Sequence, residues 1–314
     1  MINNQGLSLI IPTWKRTKVL KKIVCNLLRQ NFPKNLYEII IVNSYPKINI
    51  NLKKNKLIRI FNIKENSNAQ KRNLGLKKSK FENIIFLDDD CIPEKNFLFK
   101  YHNLFKKINY KTVVCGSVLY DEKKFNRLKY LQYRQQTHFV VKNNIFIDQN
   151  KIGPGNIVTM NMGLKKKLNN GKIFFDKKFK NYGFEDYEFC YRYIKKGYNF
   201  YKANPIVIHM DNRNFSEYLE KFYFIGNKGS KIFELINKKA FKTTNYYFLE
   251  NICIFAKFSG FRTFFYLLNQ FCKQINNFFS YKFYFLIKIN MSISYLLGYS
   301  DRINKKKYFS NWYK

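Results

Sequence analysis

The sequence predicts an α/β fold, a sheet flanked by helices, followed by a helical region rich in aromatic and basic residues. Three observations carry this. Short apolar bursts alternate with amphipathic stretches over the first 90 residues. One burst, Asn-Ile-Ile-Phe-Leu at 83–87, runs straight into Asp88-Asp89-Asp90. After about Asp211 the composition shifts to aromatic, basic text with few glycines and mostly helical periodicity. These features divide the chain into residues 1–211 and 212–314.

Leu7–Pro12 reads as a buried strand stopped by proline. Thr17 is placed to cap a helix in which Val19, Leu20, Ile23, Val24, Leu27 and Leu28 recur at helical spacing. Tyr37–Val42 is a second strand, Leu57–Asn62 a shorter third and Asn83–Leu87 a fourth, with Asn68–Lys78 helical between the last two. Pro93 is expected to start a helix over Glu94–Ile108, with Phe97, Leu98, Tyr101, Leu104 and Phe105 on one face. Thr112–Val118 reads as a strand, Gly153-Pro154-Gly155 as a turn and Asn156–Leu164 as extended. Glu185–Lys196 is a helix closed by Gly197. Phe200–His209 is a last strand, and Pro205 assigns it to a sheet edge. Beyond it, Phe271, Ile275, Phe278, Phe279, Phe283 and Leu286 follow helical spacing.

Composition excludes several classes. With 46% hydrophobic and 19% aromatic residues the chain has material for a core, which argues against wholesale disorder. A membrane span needs roughly 18 consecutive apolar residues, and no uninterrupted run here exceeds five, as in Phe283–Ile287. The opening Met-Ile-Asn-Asn-Gln-Gly lacks the charged start and apolar stretch of a secretory signal. Cys25, Cys91, Cys115, Cys190, Cys253 and Cys272 form no CxxC pair, which predicts reduced thiols in a cytoplasmic protein rather than a zinc ribbon or disulfide framework. The net charge of +38 favours anionic partners. It rests on 48 lysines against 10 arginines, whereas base-reading proteins lean on arginine's bidentate fork, so no nucleic-acid partner is expected.

Against that basic background, acidic clusters stand out. Asp88-Asp90 follow a buried strand, where open α/β sheets bind ligands, and in an extended chain Asp88 and Asp90 face one way while Asp89 turns aside. Adjacent carboxylates repel unless a cation compensates, and hard oxygen donors suit Mg²⁺ or Mn²⁺. Glu185, Asp186 and Glu188 put three acids within four positions at a helix start, more than capping requires, and a carboxylate held there suits a general base. His209, at the end of an apolar strand, is a ligand type for a transition metal, although a lone strand-end histidine is more often structural.

In order, Ser-Leu-Ile-Ile-Pro-Thr-Trp-Lys-Arg (8–16), Glu-Ile-Ile-Ile-Val-Asn-Ser (38–44), Asn-Ala-Gln-Lys-Arg-Asn-Leu-Gly-Leu (68–76), Phe-Leu-Asp-Asp-Asp (86–90), Asn-Met-Gly-Leu (161–164), Phe-Phe-Asp-Lys-Lys-Phe (174–179), Tyr-Gly-Phe-Glu-Asp-Tyr-Glu (182–188) and Val-Ile-His (207–209) resemble a family 2 inverting glycosyltransferase of the bacterial surface-polysaccharide type. The resemblance implies a GT-A fold, a Rossmann-like mixed sheet flanked by helices, with a helical extension. It implies a nucleotide-sugar donor, a Mn²⁺ or Mg²⁺ ion on its diphosphate, and a glycan or lipid-linked glycan acceptor. By resemblance Asp88 and Asp90 form the DxD pair, Asp90 being the more direct metal ligand, and His209 completes the metal shell. Pro12, Thr13 and Asn43 fall where the family contacts the nucleoside, and Arg72 where a basic residue approaches the donor. Asp186 falls on the catalytic base, with Glu185 positioning the base or the acceptor. The chain departs from the family in Asn43-Ser44, where Asp-Asp is common, and in Trp14-Lys15, where Tyr-Asn is frequent.

The implied reaction is a single displacement, with Asp186 taking the acceptor proton. A basic nucleic-acid-binding protein is the alternative from another class. A metal-dependent nucleotidyltransferase is a third, but no GxxxxGK[ST] loop is present. The C-terminal region has two readings, packing on the catalytic domain or peripheral contact with an acidic membrane on its inner face.

Overall fold

The computed structural model describes residues 6–44, 55–137, 141, 150–166, 174–180, 183–210, 213–252, 258–278 and 284–304. The chain divides into two compact units, one of residues 1–121, 137–181 and 185–211, the other of 122–136, 182–184 and 212–314. Two short segments that the sequence assigns to the first part, 122–136 and 182–184, therefore pack with the second.

The first unit is built on an eight-stranded mixed sheet, the α/β arrangement expected of a GT-A-like fold. Its strands are β1 (Leu7–Thr13), β2 (Tyr37–Ser44), β3 (Ile58–Ile63), β4 (Asn83–Leu87), β5 (Cys91–Pro93), β6 (Thr112–Tyr120), β7 (Asn161–Lys165) and β8 (Asn199–His209), in the spatial order β3-β2-β1-β4-β7-β6-β8-β5. β1 pairs in parallel with both β2 and β4, and β7 runs antiparallel between β4 and β6. The chain leaves β1 towards β2 and β3, then returns to β4 on the other side of β1. That reversal makes the carboxyl ends of β1 and β4 the topological switch point, the place where such sheets take ligands.

Helix α1 (Thr17–Leu28) buries Leu20, Ile23, Val24 and Leu27 completely, each worth about 1.5–3 kcal/mol of apolar burial. Thr17 is its first residue, not its cap. Arg16 holds the cap position, and no side chain caps the helix. Helix α2 (Asn68–Lys78) has the bounds read from sequence, and Ser67 caps it by accepting from the Gln70 amide. Gly75 lets it lie close on β1, because a Cβ there would stand 2.2 Å from Ile10 Cγ2. Helix α3 (Phe97–Lys107) buries all five residues of its predicted face, but Pro93 ends β5 instead of opening the helix.

Two other expectations change. Over 156–164 only Asn161 onward is strand, because the Thr159 amide and hydroxyl are turned to Asp186 instead of to a neighbouring strand. Strand β8 is an edge only in part. β5 covers Val207–His209, while the stretch holding Pro205 lies at a register shift against β6, where proline's missing N–H costs no ladder bond.

In the second unit, α4 (Glu122–Arg127) and α5 (Lys129–Thr137) lead, and α6 (Glu185–Ile194) intervenes in the first unit, stopping short of the expected Lys196 and followed by a turn that closes at Gly197 with φ of +80°. Helices α7 (Phe215–Phe224), α8 (Ser230–Ile236), α9 (Lys238–Phe241), α10 (Asn245–Ile252), α11 (Ser259–Phe278) and α12 (Tyr284–Ile303) follow, with a π-helical turn at Ile225–Gly229 between α7 and α8. Buried Asp301 ties α12 to its neighbours by accepting from Arg262 Nε (2.6 Å) and the Tyr223 hydroxyl (2.5 Å). The predicted apolar row does not form one buried face, since Phe271 is exposed on α11 and Leu286 buried on α12, while Phe279 and Phe283 lie outside the described residues. No helix among the described residues is long and apolar enough to cross a membrane.

Candidate active site

Asp88–Asp90 leave β4 in a turn, closed by the Cys91 amide donating to the Asp88 carbonyl (3.1 Å). The chain is not extended there, so the expected alternation of faces does not apply; each carboxylate finds its own partners. Asp89 turns to the end of β1, where the Thr13 hydroxyl donates to it at 2.6 Å and the Trp14 amide at 3.4 Å. Burial raises its carboxyl to a pKa of about 6 against the pull of Arg16. Asp90 meets Arg16 and His209, while Asp88 meets Arg72.

Arg72 is the hub. Only 2% exposed, its guanidinium donates to Asp88 Oδ1 (3.1 Å), Glu185 Oε1 (3.1 Å) and Asp186 Oδ1 (3.5 Å), with its plane over the Phe175 ring. It thus joins the acid turn after β4 to the start of α6, across 113 positions of sequence in the case of Glu185. Here it faces protein carboxylates, where the sequence resemblance implied approach to a donor. One guanidinium among three carboxylates leaves negative charge in excess. Burial raises the Asp88 carboxyl, with Asp90 and Asp186 adding to the rise and Arg72 opposing it. Asp186 is raised to about 6 by burial and by Glu185, again against Arg72. The Thr159 hydroxyl (2.9 Å to Oδ1) and amide (3.4 Å to Oδ2) fix the Asp186 carboxylate in orientation. A carboxylate held by two donors, with its pKa near the working range, suits proton abstraction.

His209 pairs with Cys91 across β5 and β8, which brings Nε2 to 3.4 Å from Asp90 Oδ1. The ring is buried, edge-on to Tyr120, and its Nδ1 has no hydrogen-bond partner among the described residues. Ligand atoms of Asp90, Cys91 and His209 lie within 4.8 Å of one another, close to the span of about 4.2 Å across an ion with 2.1 Å bonds. The buried Cys91 thiol has its pKa pushed well up by burial and by the three aspartates, which makes it the weakest donor beside a carboxylate oxygen and an imidazole nitrogen. That donor set fits a hard or borderline divalent cation. Asp88, expected beside Asp90 in the metal shell, lies outside this group.

The residues expected at the nucleoside, Pro12, Thr13 and Asn43, lie buried at the carboxyl ends of β1 and β2. Register pairs Pro12 with Val42 and Thr13 with Asn43, and Asn43 Nδ2 donates to Asn62 Oδ1 (3.0 Å). Sequence reasoning missed Arg16, Lys71 and Thr159. Lys71, buried beside Arg72, donates to the Thr13 carbonyl (3.0 Å) and Asn66 Oδ1 (2.7 Å), and loss of hydration lowers its pKa to about 8. Arg16 and Lys71 stand inside the quoted motifs but look like any other basic residue of this chain. Thr159 carries no pattern at all.

Over 114 residues the chain is 32% identical to the poly(ribitol-phosphate) β-N-acetylglucosaminyltransferase TarP of Staphylococcus aureus, covering 34% of this chain and 35% of that protein. It is 25% identical over 224 residues to the chondroitin synthase of Escherichia coli, covering 61% and 32% of the two chains. The chain thus spans about a third of the length of the relatives it matches. A crystal structure of residues 1–349 of S. aureus TarS aligns with 97% of this chain and 93% of its own, at 14% identity and a TM-score of 0.48. The model of glycosyl transferase family 2 matches residues 8–171, a span that contains the ends of β1 and β2, Arg72 and the Asp88–Asp90 turn. Asp186 and His209 lie beyond it and are bound to it by Arg72 and Asp90. With half of its length matched, including the strand-end acids, the chain belongs to glycosyl transferase family 2.

Proposed function

We propose that this chain transfers a sugar from a nucleotide-diphosphate-sugar to an acceptor hydroxyl with inversion, by metal-assisted single displacement. The observation that carries the reading is the Arg72 clasp, which holds the strand-end Asp88 and the helix-start Asp186 in one cluster. Asp186 takes the proton of the attacking hydroxyl, oriented by Thr159, and Glu185 keeps Arg72 in place beside it. Thr13, Pro12 and Asn43 form the floor for the nucleoside at the ends of β1 and β2. Asp90 and His209 would hold a Mn²⁺ or Mg²⁺ ion, with Asp88 at its margin, and such an ion supplies charge neutralisation at the leaving diphosphate. A second carboxylic acid is unnecessary, because the leaving diphosphate needs no protonation, unlike the leaving group of a glycosidase. Names of the relatives, a poly(ribitol-phosphate) transferase and a chondroitin synthase, support a polysaccharide-type acceptor, either a free or a lipid-linked glycan. A thermal-shift panel of nucleotide-sugars with and without Mn²⁺ tests this. One donor should stabilise the chain in a Mn²⁺-dependent way, and a flat response across the panel would overturn the reading.

A lipid-linked acceptor favours a cytoplasmic protein peripheral on an acidic membrane. Supporting this, Phe264, Leu267 and Phe271 lie exposed along one side of α11. From Asn251 to Ser300 the sequence has no acid, yet it includes Lys257, Arg262, Lys273, Lys282 and Lys288, so anionic headgroups complement it. Flotation with acidic liposomes should retain the wild type and lose Leu267→Glu/Phe271→Glu. Equal flotation of the two would exclude this surface.

A further inference from the structure

Arg16 has no part in the chemistry above, yet its guanidinium stands on Asp90, the carboxylate that would receive the cation, and on Asp89 beside it. Its Nη1 lies 3.1 Å from Asp89 Oδ1 and also contacts Asp90 Oδ2, while His209 faces the other oxygen of Asp90. The two arginines of the acid cluster differ in kind. Arg72 is 2% exposed and fixed by three carboxylates, whereas the Arg16 side chain is 52% exposed and follows Lys15, whose φ is +58°. A half-exposed pair is weak and screened by water, so it exchanges readily. Without any cation, however, Asp88, Asp89 and Asp90 would repel one another.

We infer that Arg16 is an exchangeable counter-cation: it neutralises Asp89 and Asp90 when no divalent ion is bound, and the ion enters by displacing it from Asp90. The inference rests on the reading of Asp90 and His209 as cation ligands. It assigns Arg16 the opposite effect from a supporting residue. A side chain that merely oriented Asp90 would strengthen cation binding, whereas one that occupies the ligand oxygen weakens it.

The test is titration of the full chain with Mn²⁺ alone, no nucleotide present, following free Mn²⁺ by electron paramagnetic resonance. Arg16→Gln should bind Mn²⁺ more tightly by about two- to fivefold, the competing charge being gone. Arg16→Lys, shorter and unable to span both carboxylates, should tighten binding by a smaller factor, and it serves if the glutamine variant melts early. Unchanged or weaker Mn²⁺ binding in both variants overturns the role of Arg16. Asp90→Asn separates the two levels. It should lose the Mn²⁺ site with Arg16 present or replaced, and wild-type binding in Asp90→Asn would overturn the cation reading itself.

Discussion

Replacing Asp186 with Asn tests the reaction most directly, because the structure fixes what the change leaves intact. Asparagine keeps an oxygen to accept from the Thr159 hydroxyl, now 2.9 Å from Oδ1, and Arg72 keeps Asp88 and Glu185. The fold should hold while the base is lost, so turnover should drop by about 10²–10⁴-fold with donor binding kept. The pH profile adds a second, independent readout. Burial and Glu185 raise Asp186 to about 6, so its basic form is lost as pH falls through that value. Turnover in the wild type should then fall about tenfold per pH unit below the pKa, and this acid limb should vanish in Asp186→Asn. Linkage has the same origin. A carboxyl raised from 3.8 to about 6 favours the fold below 3.8, and that contribution is lost as pH rises through 6. The asparagine variant should accordingly melt no lower than wild type at pH 7.5. Release of nucleoside diphosphate, with the donor found by thermal shift, is the assay. Retention of the acid limb in the variant would refute the base assignment, and loss of donor binding would move Asp186 to the donor site.

Arg72→Met leaves Asp88, Glu185 and Asp186 without their shared cation, at a cost of about 3–5 kcal/mol and a fall in melting temperature on the order of 10 °C. The fall should shrink at pH 5, where Asp186, raised to about 6, takes up a proton, and an equal fall at both pH values would deny that charge is the cause. For Gly75→Ala two effects oppose. Alanine gains about 1 kcal/mol of helix propensity. The new Cβ, however, would lie 2.2 Å from Ile10 Cγ2, an overpacking worth about 1–3 kcal/mol. Net destabilisation in urea unfolding is expected, and stabilisation would show that α2 is free to rise from the sheet.

The sheet's parallel half was legible because its strands are buried on both faces. β1, β2 and β4 are wholly buried, so each carries an apolar burst (Leu9–Ile11, Ile39–Val42 and Ile84–Leu87) that stands out from the text around it. The weaker elements failed for opposite reasons. Residues 156–160 look extended but spend the Thr159 backbone on a side chain 27 positions away, and the 122–136 segment joins the second unit through tertiary packing alone. Nothing local records such pairings.

The site divides by charge sign. With 20 acids against 58 bases, a cluster of carboxylates is a departure from background, and both acidic clusters could be found by inspection. The cations that organise them could not. Arg72 came only from motif order, and its role as a clasp depends on Glu185, 113 positions away. Arg16 and Lys71 are two more bases in a chain full of them. For Arg72 and Lys71, burial is what distinguishes them from a solvated base. Arg72 and Lys71 are among the largest fully buried side chains, a cost that only facing carboxylates or carbonyls offset. In so basic a chain, the acids mark the candidate site, and only the folded structure shows which few of the many bases face them.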